Sequence, residues 1–152
     1  MGDVFEVDGN LFHLGLPALG QGVNLMGKMG LGIARDMARN YPGLLDDYRQ
    51  AIREGRLTLG GAHLYTHTDG TVIVNIATQR NTGRDAREDA IETGLHSALH
   101  QLTEHGIDRL GLPRIGCGIG GLEWPHVYDI ILRVTSDHPV AVTIATPPVK
   151  PR

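Results

Sequence analysis

Glycine is the residue that most constrains this chain, because 21 of its 152 residues are glycine, about twice the usual share of ~7%. Eleven of them fall in two stretches, residues 15–32 and 111–121. The glycines have no triplet period and only 8 residues are proline, so neither a collagen helix nor a low-complexity segment is expected. Two local clusters instead indicate two loops with special backbone requirements.

The composition is that of a globular protein, with 41% hydrophobic and 20% charged residues. A chain of this length buries enough surface for one core without disulfides or metals. No linker or repeat divides it, so we expect a single domain over residues 1–146 and a loose tail over 147–152. The 14 basic and 17 acidic residues give a formal charge of −3, which argues against a broad cationic face for nucleic acid.

The first residues and the cysteine content bear on the cellular compartment of the protein. The single cysteine, Cys117, cannot form an internal disulfide, and the first residues have neither a cationic start nor an apolar signal core. No stretch approaches the ~20 apolar residues of a membrane span. These features predict a cytoplasmic protein without membrane partners.

Strand and helix patterns alternate along the chain. Strands are predicted at 4–7, 16–24, 62–68, 71–77, 109–113 and 140–146, and helices after Gly32, over 44–54, over 85–105 and over 123–136. The 16–24 strand is expected to be weak because glycines interrupt it. Leu45, Tyr48 and Ile52 are expected to lie on one face of the 44–54 helix. The Asp69-Gly70 pair predicts a hairpin, so the order indicates a three-layer α/β fold with a mixed sheet.

The second glycine stretch connects a strand to a helix, with four glycines in residues 116–121. Such a loop lets the backbone approach an anion, and the helix N-terminus adds partial positive charge, which favours a phosphate or diphosphate. A tight turn with positive φ angles is the alternative. Gly116, Gly118 and Gly121 match the dinucleotide fingerprint G-x-G-x-x-G, but the residues after them leave room for only one helix and one strand, which argues against a dinucleotide fold.

The first glycine stretch also leads from a loop into a helix. Two such loops facing one another would clamp a diphosphate from both sides. Neither contains the G-K-[ST] sequence of a P-loop, which argues against a kinase or an ATPase.

Three other features of the sequence bear on chemistry. Cys117, among backbone amides near a helix start, is either a nucleophile with a lowered pKa or a small packed residue, and the second is favoured because Glu123 stands where a phosphatase needs arginine. His96 and His100 share a helix face, yet no third ligand completes a site, so no metal is expected. Trp124 is interpreted as a core anchor at a helix start.

Three segments resemble the macrodomains: Gly9-Asn10-Leu11-Phe12, then Asn24 ahead of Met29-Gly30-Leu31-Gly32-Ile33-Ala34, then residues 113–124, which read PRIGCGIGGLEW. The chain is similar above all to the branch that holds the terminal ADP-ribose glutamate hydrolases and the macrodomain antitoxins that remove ADP-ribose from DNA. The resemblance runs from Val4 to Thr146. It implies a three-layer α/β/α macrodomain with an ADP-ribose pocket at the carboxyl ends of the strands, and no cofactor.

The resemblance also implies roles for individual positions. Asn10 stands where many members have an aspartate that binds the adenine amino group. Asn24 stands where the relatives have a polar residue that contacts the distal ribose. The other substrate-binding positions that it implies are Leu11, Met29, Gly30, Gly32, Ile33, Ala34, Thr78, Ile115, Gly116, Cys117, Gly118, Ile119, Gly120, Gly121 and Leu122.

Two positions depart from the family pattern. Several hydrolases of this branch carry a lysine where this chain has Gln79, and the glutamate hydrolase has an aspartate where this chain has Gly120. Glutamine has no basic nitrogen to attack the anomeric carbon, so the lysine-dependent route is not expected. Hydrolysis would then depend on positioning, with Asn24 and Gln79 as the candidate catalytic residues that orient the distal ribose or a water.

The predicted function is therefore hydrolysis of the ester bond between ADP-ribose and Glu or Asp side chains. A module that binds ADP-ribose without turnover is the alternative, and a structural domain without a ligand is a third possibility. The expected partner is ADP-ribose or an ADP-ribosylated protein. ADP-ribosylated DNA is the weaker candidate, since the basic residues Arg80, Arg84 and Arg87 favour it and the net charge opposes it.

Overall fold

A mixed β-sheet organises the protein. The computed structural model describes residues 2–147. Its strands are β1 (Val4–Asp8), β2 (Ala18–Val23), β3 (Ala62–Thr66), β4 (Val72–Ala77), β5 (Arg109–Leu112) and β6 (Ala141–Thr146), and its helices are α1 (Gly32–Asn40), α2 (Leu44–Arg53), α3 (Glu88–Glu104) and α4 (Trp124–Thr135). A 3₁₀ turn at Leu11–His13 follows β1.

The strand order is β1-β6-β5-β2-β4-β3. All neighbouring pairs are parallel except β3 and β4, which form the predicted hairpin with Thr66 opposite Val72. Because the parallel strands point the same way, the loops that follow them meet at one edge of the sheet. The mixed sheet is confirmed, and this shared edge is where its ligand sites are expected.

Helices cover both faces of the sheet. Ile91 and Leu95 of α3, with Ile131 of α4, belong to the core on one face. Met37 of α1 and Tyr48 of α2 belong to the core on the other face, and all five of these side chains are buried. The three-layer α/β/α arrangement is therefore confirmed.

The glycines of β2 do not interrupt the strand, contrary to expectation. A Cβ atom on Gly20 would lie 2.6 Å from Leu112 Cδ2, and one on Gly22 would lie 2.9 Å from Thr78 Oγ1. These two glycines therefore make room for neighbouring side chains that cross the central strand. Their role is close packing within a continuous strand.

The core-facing side of α2 contains the predicted residues. The helix buries Leu44, Tyr48 and Ala51, and the partly buried Leu45 and Ile52 pack against the same core. Leu45, Tyr48 and Ile52 therefore face one side, as predicted, and Leu44 and Ala51 widen the buried face.

Helix α3 begins at Glu88 rather than at the predicted Asp85. The carboxylate of Asp85 accepts the backbone N–H groups of Arg80 and Asn81, at 3.0 and 2.8 Å. The hydrogen bond from Asn81 also holds the pKa of Asp85 below its usual value. Asp85 thus closes the preceding loop, and the helix starts after it.

The expected tail lies outside the described residues apart from Pro147, so the domain boundary at residue 146 stays a prediction. Within residues 2–147, the helices are all too short or too polar to cross a membrane.

Candidate ligand-binding site

A cleft of about 520 Å³ opens where β2, β4 and β5 end. The glycine loop after β2 forms one wall and the glycine loop after β5 forms the other, as the sequence predicted. The residues that line it are Gly22, Val23, Asn24, Lys28, Gly30, Leu31, Gly32, Ile33, Ala34, Thr78, Gln79, Thr82, Gly83, Pro113, Arg114, Ile115, Gly116, Gly118, Ile119 and Gly120.

Both walls present backbone N–H groups that are free to bind an anion. Within residues 2–147, the N–H groups of Gly118, Ile119 and Gly120 donate to no backbone carbonyl. On the opposite wall, α1 begins at Gly32 and its N-cap, Leu31, makes no side-chain hydrogen bond to the first turn. The open N–H groups of that turn and the helix dipole add partial positive charge. Phosphate oxygens can therefore be bound from two sides.

The charged side chains that line the cleft are both cationic. They are Lys28 and Arg114, and no Asp or Glu is among the lining residues. The guanidinium carbon of Arg114 lies 4.9 Å from the centroid of the Trp124 ring, a cation–π contact that restrains the arginine. Trp124 itself packs partly buried against the core under α3 and α4. The cleft thus favours an anionic ligand.

Asn24 is held firmly by its own loop. Its Oδ1 accepts the backbone N–H groups of Met26 (2.9 Å) and Lys28 (3.3 Å), and its Nδ2 donates to the Lys28 carbonyl (3.0 Å). The hydroxyl of the buried Tyr48 lies 2.9 Å from Asn24 Oδ1 and 2.5 Å from the Asn24 carbonyl. Burial raises the pKa of Tyr48 to about 12, so it stays a neutral donor. One N–H of Asn24 is left for a ligand.

Gln79 is also tied to its loop. Its Nε2 donates to the carbonyls of Asn81 (2.6 Å) and Gly83 (2.9 Å), and the residue is 9% exposed. Both of its N–H donors are therefore used. The remaining oxygen can accept a hydrogen bond from a hydroxyl or a water, but an amide oxygen is neither a nucleophile nor a strong base.

A second cavity of about 300 Å³ adjoins the cleft, and the two share Ile33 and Pro113. Leu11 and the ring of Phe12 give it an apolar wall, and Asn10 gives it a polar edge. Its other lining residues are His13, Asp36, Arg39, Asn40, Ala145 and Pro147. Together the two cavities suit an elongated ligand with an anionic middle and a flat, partly apolar end.

The two cavities bring together most of the predicted site residues. Those in the cleft are Asn24, Gly30, Gly32, Ile33, Ala34, Thr78, Gln79, Ile115, Gly116, Gly118, Ile119 and Gly120, and those in the second cavity are Asn10, Leu11 and Ile33. Binding roles for all of these positions stay predictions.

Four predicted positions line neither cavity. Met29 is buried in the core under α1 and α2. Cys117 and Leu122 pack against the core under α3 and α4. Gly121 lies against Arg84, with only 2.9 Å from an added Cβ to the guanidinium Nε. Their place in the structure is behind the walls of the cleft.

Sequence reasoning did not select several cleft residues. Lys28 and Arg114 each lie within a glycine stretch. Their position in a predicted anion-binding loop could have identified them as site residues. Thr82 and Gly83 carried no such signal, because the Gln79 and Asp85 hydrogen bonds that curl their loop back to the cleft depend on the folded backbone.

The histidines considered as metal ligands have other partners. His96 Nδ1 lies 3.0 Å from His138 Nε2, and His100 Nε2 lies 3.1 Å from Glu104 Oε1. Within residues 2–147, no group of three His, Cys, Asp or Glu side chains is placed to hold a metal ion.

The hypothesis that Cys117 has a lowered pKa is wrong. Burial raises the pKa of its thiol above the usual value; Arg114 opposes the shift and Glu123 adds to it. The thiol lies 3.5 Å from the Ile115 carbonyl. The alternative interpretation, a small residue packed beneath the loop, agrees with the structure.

We expect Cys117 to react slowly with iodoacetamide at pH 7.5. A raised pKa leaves less of the nucleophilic thiolate at that pH, so the alkylation rate should be lower than that of a free cysteine peptide and should continue to rise at a pH where the peptide's rate has levelled off. Mass spectrometry of the alkylated protein measures the rate. Cys117→Ser gives the background, and labelling as fast as the peptide would contradict the raised pKa.

The fold and the paired cavities define an α/β ligand-binding domain with an anion cleft at the carboxyl edge of its sheet. The sequence matches the Macro domain family over residues 21–131, and the chain belongs to this family. The resemblance inferred from the glycine loops is therefore confirmed.

Known proteins of the family are similar over most of the chain. A DNA ADP-ribosyl glycohydrolase of Thermus aquaticus is 31% identical over 128 residues, which are 82% of this chain and 36% of that protein. The solved macrodomain of Thermus aquaticus DarG superposes with a TM-score of 0.87 at 28% identity, covering 97% of this chain and all of that one. Thermosipho africanus DarTG in complex with ADP-ribose gives 0.86 at 26% identity, covering 100% of this chain and 43% of that one. The chain spans little more than a third of the curated relative's length.

Proposed function

We propose that this macrodomain binds ADP-ribose and hydrolyses the ester that joins it to Glu or Asp side chains of a modified protein. The observation that carries the proposal is the pair of glycine walls around a cleft that continues into the second cavity. The diphosphate fits between the open N–H groups of the two walls. The adenosine then occupies the second cavity and the distal ribose lies toward Asn24 and Gln79.

The charges and the shapes of the two cavities support this placement. Lys28 and Arg114 provide positive charge at the diphosphate, and the loops let the backbone come close to it. The Phe12 ring and Leu11 offer an apolar surface to a purine, while Asn10 faces its polar edge. The relative whose structure contains ADP-ribose has the same fold over this whole chain, which supports the choice of ligand.

The residues that line the cleft limit which linkage it can hydrolyse. Among its lining residues there is no carboxylate, histidine or cysteine, so no strong general base or thiolate faces the distal ribose in the cleft. A linkage with a good leaving group is then the best substrate, and a carboxylate is such a group because its conjugate acid has a pKa of about 4. Positioning and hydrogen bonding can be sufficient for so labile a bond.

In the proposed reaction, a water oxygen bonds to the anomeric carbon of the distal ribose. The bond between that carbon and the carboxylate oxygen breaks, and the carboxylate leaves with the electron pair. The proton of the water passes to solvent, and the products are ADP-ribose and the free acidic side chain. The Gln79 oxygen would orient the water or a ribose hydroxyl, and the free N–H of Asn24 would hold the ribose.

The relatives support hydrolysis as the reaction class, because the Thermus aquaticus protein is named a DNA ADP-ribosyl glycohydrolase. Independence from a lysine nucleophile is part of our proposal and follows from Gln79. DNA as the acceptor is a second candidate. Besides that relative's name, it is favoured by Arg80 and Arg84, which are exposed on the loop beside the cleft and could contact phosphates.

We expect the protein to release free ADP-ribose from a glutamate-linked ADP-ribosyl protein at least about 100-fold faster than spontaneous hydrolysis. Serine-linked protein and thymidine-linked DNA should be cleaved far more slowly, because their leaving groups are poorer and need a general acid. Chromatography of released ADP-ribose, with the three substrates side by side and enzyme in excess, measures this.

Three results would be decisive against the proposal. Release from thymidine alone would establish DNA as the acceptor. Tight calorimetric binding of ADP-ribose with no release from any linkage would establish a binding module. If calorimetry shows no binding of ADP-ribose and no linkage releases it, the chain is a structural domain without this ligand.

A further inference from the structure

The amide of Asn10 is held in one orientation. Asn10 is the N-cap of the 3₁₀ turn, with φ −89° and ψ 122°, and its Oδ1 accepts the Phe12 backbone N–H at 2.9 Å. The amide oxygen therefore faces the turn. The free end of the side chain is Nδ2, which carries two N–H donors.

The rest of the second cavity also offers both donors and acceptors. Arg39 and His13 contribute donors, and Asp36 contributes a carboxylate. The Asp36 side chain is 44% exposed, and Arg35 Nε, its ion-pair partner within residues 2–147, lies 3.8 Å away, beyond hydrogen-bond distance. No single kind of hydrogen-bonding group dominates the cavity.

This arrangement affects which purine can bind. Adenine presents a donor at C6, its amino group, whereas a 6-oxopurine presents an acceptor, its carbonyl oxygen. A carboxylate in the place of the Asn10 amide could only accept, so it would pair with the amino group and repel the carbonyl. The amide of Asn10 can donate from Nδ2 to the carbonyl, or accept from the amino group through the second lone pair of Oδ1.

We propose that the chain binds 6-oxopurine diphosphate riboses, such as inosine diphosphate ribose, as well as ADP-ribose, and that Asn10 is the residue that sets this tolerance. The inference rests on the proposed function, because it places the base in the second cavity. The distal ribose and its ester are the same in both ligands. Inosine diphosphate ribose esters are therefore substrates of the same hydrolysis.

Calorimetry of the intact chain with ADP-ribose and with inosine diphosphate ribose tests the proposal. We expect the two dissociation constants to agree within about tenfold, and Asn10→Asp to raise the preference for ADP-ribose by at least about tenfold. An aspartate accepts the Phe12 N–H as well as an asparagine does. The variant therefore keeps the turn and removes only the donors.

Gln50→Glu is the control for added charge, since Gln50 is exposed on α2 and lines neither cavity. It adds the same charge, and we expect it to change the preference less than about threefold. A preference of the unmodified chain above tenfold would overturn the inference, and so would equal shifts in the two variants. Failure of both ligands to bind would overturn the proposed function, whereas tight binding of ADP-ribose alone would overturn only the inference.

Discussion

Gly30→Glu combined with Gly118→Glu should raise the dissociation constant for ADP-ribose at least about 100-fold, which corresponds to about 2.7 kcal/mol. The two residues lie on opposite walls of the cleft. Two carboxylates there would face the diphosphate at close range and would cover the open N–H groups. Like charges and blocked donors both oppose binding.

These two glycines are suitable because neither needs to be glycine for the fold. A Cβ atom at Gly30 or Gly118 would have no neighbour within 4 Å, and neither residue has a positive φ angle. Gly32, on the same wall as Gly30, has a φ of 58° and would add backbone strain. We therefore expect the melting temperature of the double variant to stay within about 3 °C of the parent.

Calorimetry with ADP-ribose measures the binding. The pair Gly30→Gln and Gly118→Gln is the matched control, because glutamine has the size of glutamate without its charge. We expect the control to lose less affinity than the Glu pair by at least about tenfold, which separates repulsion from steric blocking. Unchanged affinity for ADP-ribose in the Glu double variant would show that the diphosphate does not bind in this cleft.

Asn24→Ala should cost about 2–4 kcal/mol in the free energy of unfolding and should also abolish turnover. The substitution removes the hydrogen bonds of Asn24 with Met26, Lys28 and the Tyr48 hydroxyl, each worth about 1 kcal/mol. The loop that carries Lys28 to the cleft would then loosen. Thermal unfolding should shift downward by roughly 5 to 15 °C.

Tyr48→Phe is the graded comparison, because it removes one donor to Asn24 and leaves the hydrogen bonds inside the loop. We expect it to cost about 1 kcal/mol and to weaken ADP-ribose binding less than Asn24→Ala does. Hydrogen exchange at the Met26 and Lys28 amides should quicken in Asn24→Ala well before the rest of the chain is affected. An Asn24→Ala protein with normal stability and no turnover would show instead that Asn24 acts only on the ligand.

The fold was largely predictable because its signals are local. Alternating apolar residues, the Asp69-Gly70 turn and helical spacing identify the elements, and the single hairpin between β3 and β4 follows from them. The errors arose where contacts outside the element decide the outcome. Asp85 accepts two backbone N–H groups of the preceding loop and so delays α3, and β2 stays continuous because neighbouring side chains pack closely against its glycines.

The candidate site was predictable in its walls and less so in its side chains. The glycine loops were visible because an anion-binding backbone requires residues without a Cβ atom. The sequence did not reveal which hydrogen-bonding atoms of Asn24, Gln79 and Asn10 remain free for a ligand, because this depends on which atoms already form hydrogen bonds within the fold. A polar residue at a matching position therefore indicates a role without fixing which atom performs it.

The sequence by itself determined the order of strands and helices, the two glycine loops, and the absence of lysine and aspartate at positions 79 and 120. These are properties of residue type and spacing. Only the tertiary structure decided that the loops face each other across one cleft, that Cys117 is packed behind it, and that the oxygen of Asn10 is used by a backbone N–H. Those outcomes depend on which distant segments meet, because burial and hydrogen-bond pairing are set by contacts that no local pattern contains.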